Sequence, residues 1–197
     1  MPKCYSDNEK TEIRVKLREE AKRCMSQYGI RRTTVDELVN SVGIPKGTFY
    51  LFYQSKEELL YEALSDEQGQ MEQELRLFAK AAADKPTEVI SEMLFALMKK
   101  FAQKPLFALL QSEEMELLTK KLPEKVIYSH LQRSNSMFEE VFRPLKSNPN
   151  ADLMVFGAAM HSVFISMIYE CRISENIENR FDESCHMLLY GLLLQIR

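Results

Sequence analysis

Cysteine is scarce: Cys4, Cys24, Cys171 and Cys185 are the whole set, with no C-x-x-C pair and no regular interval. A disulfide framework and a zinc ribbon are therefore not expected, and reduced thiols are. The three histidines, His130, His161 and His186, are scattered, and even taken with Cys171 and Cys185 they match no known ligand spacing. No metal and no cofactor is expected. A Gly-rich phosphate loop, an H-E-x-x-H and a G-x-S-x-G are all missing, so nothing supports an enzyme. No stretch alternates polar and apolar residues between hairpin turns, which leaves strands without a signal. The longest apolar run, Leu153 to Tyr169, falls short of the about 20 residues of a membrane span and is interrupted by His161, Ser162 and Ser166. No charged-then-apolar leader stands at the N-terminus, and a cytoplasmic location without membrane partners is the expectation.

What is present is helix. The chain has 197 residues, 45% of them hydrophobic, enough for one or two ordinary cores. The net charge of −3, taken alone, argues against a nucleic-acid partner, but it is uneven. Residues 1–60 hold 11 basic and 9 acidic side chains, a net of +2, and the remainder hold 15 and 20, a net of −5. The N-terminal part permits DNA without demanding it.

Residues 33–59, TTVDELVNSVGIPKGTFYLFYQSKEEL, carry the sharpest signal. Thr34 can cap a helix beginning at Val35, and Val35, Leu38, Val39 and Val42 follow at helical spacing as a buried stripe. Gly43 stands where a chain leaves a helix in a left-handed conformation. Pro45 suits the first turn of a second, very short helix ending near Tyr50 to Tyr53. That helix presents Lys46, Gly47, Thr48 and Tyr50, a set able to approach phosphates and base edges. Ser55-Lys56-Glu57-Glu58 is a capping box that opens a third helix, and Lys56 is a further cation available to phosphates. A tight turn between two short helices places a recognition helix in a DNA major groove.

This stretch resembles the DNA-binding domain of the TetR-type (tetracycline-repressor-like) transcriptional regulators. The family's pattern is matched at Thr33, Thr34, Leu38, Gly43, Ile44, Gly47, Thr48, Tyr50, Ser55, Lys56, Glu57 and Leu59, and residues 10–29 supply the first helix. The departures are Pro45 for the usual Ser, Leu51 where a polar or basic residue is frequent, and an aromatic pair of inverted polarity. Phe52 stands where Tyr or His often reaches a phosphate, and Tyr53 where Phe usually packs inside. Tyr53 either supplies a hydroxyl to DNA or is a core ring. The resemblance implies an all-α fold: a three-helix helix-turn-helix domain over 1–55, with its motif at about 34–53, and a helical effector-binding and dimerisation domain over 56–197. It implies a ligand-responsive homodimeric repressor of a double-stranded DNA operator, with Thr34, Lys46, Gly47, Thr48, Tyr50, Tyr53 and Lys56 toward the DNA. Nothing in the residues separates repressor from activator. A TetR-fold structural or partner-binding protein with weakened DNA contacts is the second reading, kept open by Leu51 and Phe52.

Beyond the motif, a helix from Lys56 to about Ala83 is predicted, with Gly69 in its middle as either a solvent-side residue or a bend. Helices over 87–103, 106–119 and 124–143 follow. Residues 153–169 and 187–194 are apolar on nearly every position, which demands burial on all sides. A second copy is expected to supply part of it, through the small-residue stripe Ala158, Ser162 and Ser166 and through Gly191 and Leu193. The Phe- and Met-rich C-terminal part suits an adaptable apolar pocket. By the resemblance, Phe101, Phe107, Gln111, Tyr128, His161 and Tyr169 are its wall, and the effector is an apolar or aromatic small molecule. The carboxylate run Glu113, Glu114, Glu116 is either a solvated face or has one member turned inward to a cationic ligand.

Overall fold

Capping chemistry sets where the helices begin. The structure is a computed structural model that describes residues 5–110, 112–126, 137, 139–173 and 178–197, and no strand occurs among them. The fold is all-α, as the sequence predicts. Helix α1 (Asp7–Arg32) opens on a capping box in which Ser6 and Glu9 satisfy each other's backbone N–H. Helix α2 (Val35–Val42) opens on a second box built by Thr34 and Glu37. Helix α3 (Lys46–Phe49) follows Pro45, whose extended conformation positions the first turn. Helix α4 (Lys56–Ala82) takes its cap from Ser55, whose Oγ accepts the N–H of Glu58 at 3.1 Å, while the Glu58 carboxylate reaches back to the N–H of Gln54 at 2.7 Å.

After α4 come α5 (Thr87–Ala102), α6 (Pro105–Leu110), α7 (Glu113–Thr119), α8 (Leu153–Ile173) and α9 (Glu178–Ile196). The single helix expected over 106–119 is thus two, because Ser112 is extended (φ −98°, ψ 155°) and its hydroxyl bonds the Leu109 carbonyl at 2.6 Å. Most of the helix expected over 124–143 lies outside the described residues. Its end, residues 139–142, is helical and runs into a 3-10 turn at Arg143–Leu145. Helix α9 starts nine residues earlier than its apolar run, and α8 has 21 residues. Leu153–Glu170 is therefore long and apolar enough to cross a membrane, so run length does not exclude a span. Within the chain, the Leu153, Phe156, Met160, Val163 and Met167 face of α8 is buried, and the helix packs against α5 and α9.

The chain divides into two compact units. One comprises residues 1–68 and 109–123, the other 69–108 and 124–197. This division by packing differs from the cut at 55/56 drawn on function, because the first half of α4 belongs to the N-terminal core. There Leu17, Ala21, Cys24 and Met25 of α1 are buried, as are Leu38, Phe49, Leu59, Leu60 and Ala63. Burial, and then hydrogen bonding to Glu20, push the Cys24 thiol up to about 11, as befits a small core residue. Arg18 bonds Glu62 at 2.7 Å and Asp66 at 2.9 Å, and Lys22 pairs with Glu19 and Glu67, a charged seam from α1 to α4. In the second unit, Ile90, Leu94, Phe101, Phe142, Leu189 and Leu193 are buried to 5% exposure or less. Helix α4 is continuous through Gly69, with open space where a side chain would stand.

Candidate nucleic-acid interface

The exit from α2 into the turn before α3 is made by backbone hydrogen bonds. Gly43 adopts φ 75°, ψ 35°, and its N–H and that of Ile44 both reach the Val39 carbonyl, at 2.9 and 3.0 Å. This is the helix exit expected of glycine. Pro45 then starts α3 without offering an N–H. The helical sense outlasts α3, since Leu51 N–H reaches Thr48 O at 3.1 Å and Phe52 N–H reaches Phe49 O at 2.9 Å. Phe49, Phe52 and Tyr53 point into the core, while Lys46, Gly47, Tyr50 and Leu51 face outward and Thr48 is half-buried. Tyr50 is 54% and Leu51 70% exposed. Nothing lies within 4 Å of a Cβ built on Gly47.

Of the residues picked from the sequence, Lys46, Gly47, Thr48 and Tyr50 come together on this turn. Lys46 bridges to Asp36 of α2 at 2.9 Å, and that hydrogen bond raises its pKa. The pair ties the two helices of the motif and leaves both side chains more than half exposed. Thr34 is exposed, but its hydroxyl donates to Glu37 at 2.9 Å and accepts the Glu37 N–H at 3.3 Å. It meets another acceptor only by exchanging the Glu37 carboxylate.

Two picks do not belong to the surface. Tyr53 is 2% exposed, and burial, followed by the nearby Glu62 carboxylate, pushes its phenol up to about 12. It is the core ring of the two alternatives. Phe52 is buried as well, edge-on to Tyr5 at 6.4 Å, and the Arg14 guanidinium lies over the Phe52 and Tyr53 rings at 5.7 and 5.3 Å. Lys56 points inward: its ammonium donates to the Thr33 carbonyl at 2.8 Å and the Ile30 carbonyl at 3.3 Å, and desolvation lowers its pKa. Helix C-termini leave carbonyls without partners. Lys56 supplies them, so its charge serves the fold.

The same junction holds a contact that the sequence did not disclose. Gly29 adopts φ 82°, ψ 176° inside α1, a conformation reached essentially by glycine only. The bend frees the N–H groups of Ile30 and Arg31, and the Glu114 carboxylate from α7 accepts them at 2.6 and 3.4 Å. A Cβ on Gly29 would stand 2.8 Å from Glu114 Oε2. One carboxylate of the Glu113–Glu116 run does turn inward, but to backbone N–H groups and not to a ligand. A few residues on, Lys121 pairs with Glu57 at 2.9 Å. The α1–α2 junction is thereby held by an anion on its N–H groups and a cation on its carbonyls.

In the second unit, Phe101 and Phe107 are buried, and the Phe107 ring stands 5.8 Å from Phe101 on one side and 5.8 Å from Phe164 on the other. Phe164 was not singled out from the sequence. His161 is exposed and Tyr169 is 64% exposed, so the structure corrects their placement in an interior wall: both lie on the outer side of α8. Gln111 and Tyr128 lie outside the described residues. Ala158, Ser162 and Ser166 share the outer side of α8, and each serine hydroxyl is turned back to its own helix at 3.0 Å. Val155 and Tyr169 flank them, and Met187, Leu188, Gly191 and Leu194 are exposed on α9. Leu193 is fully buried within the unit and is a core residue, not a surface one.

The sequence model of bacterial regulatory proteins of the tetR family matches residues 17–63, which are α1 to the start of α4. YerO, an HTH-type transcriptional regulator of Bacillus subtilis (strain 168), is 33% identical over 151 residues, 76% of this chain and 48% of that protein. The chain thus spans about half the length of this curated relative. Among solved structures, a TetR-family regulator from Mesorhizobium loti superimposes with a TM-score of 0.63 at 13% identity, over 94% of this chain and 95% of that one. FadR from Bacillus subtilis, solved in complex with stearoyl-CoA, gives a TM-score of 0.60 at 14% identity, over 93% and 99%. FadR from Bacillus halodurans gives 0.59 at 16% identity, over 96% and 97%. At such identities these likenesses carry the fold.

Proposed function

The chain belongs to the TetR family of bacterial transcriptional regulators, and on that premise we propose that it is a cytoplasmic, ligand-responsive repressor that binds operator DNA as a homodimer. The observation that carries the DNA reading is the split of one short segment. Phe49, Phe52 and Tyr53 anchor it in the core, while Lys46, Gly47, Tyr50 and Leu51 are exposed on its far side. A recognition helix needs that arrangement, with rigid support beneath and bare backbone outward. Lys46 meets phosphates by leaving Asp36, Thr48 and Tyr50 add hydroxyl donors, and Gly47 admits close approach. Thr34 contributes at the rim, where its cap is already made.

Assembly rests on the outer sides of α8 and α9. Val155, Tyr169, Met187, Leu188 and Leu194 are exposed apolar or aromatic side chains beside the small residues Ala158, Ser162, Ser166 and Gly191. A contiguous patch of that kind marks an interaction site, and a second copy of the same patch is the occupant we infer. The effector is taken to be an apolar small molecule, on the Phe101, Phe107 and Phe164 cluster. The stearoyl-CoA held by FadR illustrates an apolar chain in a related fold, and the fold likeness itself carries no ligand.

Selection by the purified chain from a pool of random duplexes tests the reading. The expected result is enrichment of a two-fold symmetric sequence, with half-sites centred about one helical turn apart or slightly more. Recovery of an unenriched pool at low salt, by folded protein, would overturn it.

A further inference from the structure

Leu51 is the most exposed large apolar side chain described in the N-terminal unit. Of its four aromatic neighbours in the turn, Phe49, Phe52 and Tyr53 are buried and Tyr50 is exposed, so the core is filled without Leu51. It stands four residues after Gly47, one tight turn further along the same exposed segment. The Leu51 and Phe52 N–H groups donate to the Thr48 and Phe49 carbonyls, the tight bonding of a 3-10 turn, which carries the segment on past α3. Gly47 and Leu51 are both exposed, and nothing lies within 4 Å of a Cβ on Gly47, so the segment offers bare backbone one turn before Leu51. Lys46 and Tyr50 flank the same side.

A leucine has no donor or acceptor and cannot bind a phosphate or a polar base edge. Among the groups displayed in the major groove, the C5-methyl of thymine is the apolar one. We propose that Leu51 is a specificity-determining residue that packs on the 5-methyl group of a thymine in each half-site. Gly47 lets the backbone come close enough for that contact. The inference rests on the DNA-binding reading, and it converts the departure at position 51 from a weakened contact into a sequence reader.

The test uses the full chain and the sequence it selects. Each thymine of that sequence is replaced singly by deoxyuridine, which removes only the methyl. Burial of one methyl is worth roughly a fourfold change in affinity, so one position per half-site should weaken binding about fourfold, and about 16-fold when both half-sites carry it. Leu51→Ala should bind the thymine and uracil duplexes equally, and Leu51→Met should keep the discrimination. Absence of any methyl-dependent thymine, or an unchanged thymine-to-uracil ratio in Leu51→Ala, would overturn the assignment while leaving DNA binding intact. Failure to enrich any sequence would overturn both.

Discussion

At the residue scale, charge and conformation divide the labour around the α1–α2 junction. Lys46 and Lys56 look alike in the sequence as cations beside a recognition helix. One is exposed and bridged to Asp36, the other is turned onto the Thr33 and Ile30 carbonyls. Spacing alone did not separate them, because Lys56 is directed by carbonyls freed 23 residues earlier in the chain. The Glu114 contact was illegible for the same reason: its partners lie 84 and 83 residues away. The Ser6 and Glu9 capping box, by contrast, was readable as S-x-x-E and places the start of α1 at Asp7, three residues before the expected one. Gly29 gives a prediction at this scale. Gly29→Ala should destabilise the chain by about 2–3 kcal/mol in urea denaturation, since the backbone strain adds to the collision with Glu114. Glu114→Ala in that background removes the collision but also the acceptor of the Ile30 and Arg31 N–H groups, so it should not restore the parent's stability. An alanine variant as stable as the parent would show that the junction relaxes freely and that the bend does not require glycine.

At the element scale, local chemistry was the best guide. Thr34, Gly43, Pro45 and Ser55 act within a few residues of themselves, and the helices they bound fall where the sequence places them. The later helices were less legible, because an apolar run reports burial and not helix length. Helix α9 continues to Glu178 through a polar turn, and Ser112 interrupts what reads as one amphipathic segment. The apolar residues of α8 and α9 divide into two kinds of position. Leu193 belongs to the internal core and Val155, Leu188 and Leu194 to the outside. Leu193→Glu should therefore unfold the second unit, since an unpaired buried charge costs several kcal/mol. Val155→Glu and Leu188→Glu should instead leave helicity unchanged by circular dichroism and shift the sedimenting species from dimer to monomer. Wild-type mass in both surface variants would move the interface elsewhere.

At the scale of the whole molecule, α4 is the element common to both units: residues 56–68 belong to one and 69–82 to the other. Gly69 begins its second part, the helix is unbroken there, and a side chain would find open space. Gly69→Ala is accordingly expected to raise helix stability by up to about 1 kcal/mol. If an apolar effector switches the protein, operator and effector must weaken each other's binding by the same factor. Titrating the effector with and without operator should give a ratio that matches the reverse titration; equal effector affinity in both would mean there is no switch. The central assignment is that the exposed side of the α3 turn meets DNA while Lys56 and Tyr53 serve the fold. Operator affinity measured across a salt series, for Lys46→Ala combined with Tyr50→Ala, tests it most directly. Affinity should fall, and the slope of log affinity against log salt should flatten by about 0.9 for the lost phosphate contact. Wild-type affinity and slope in that folded double variant would contradict the assignment.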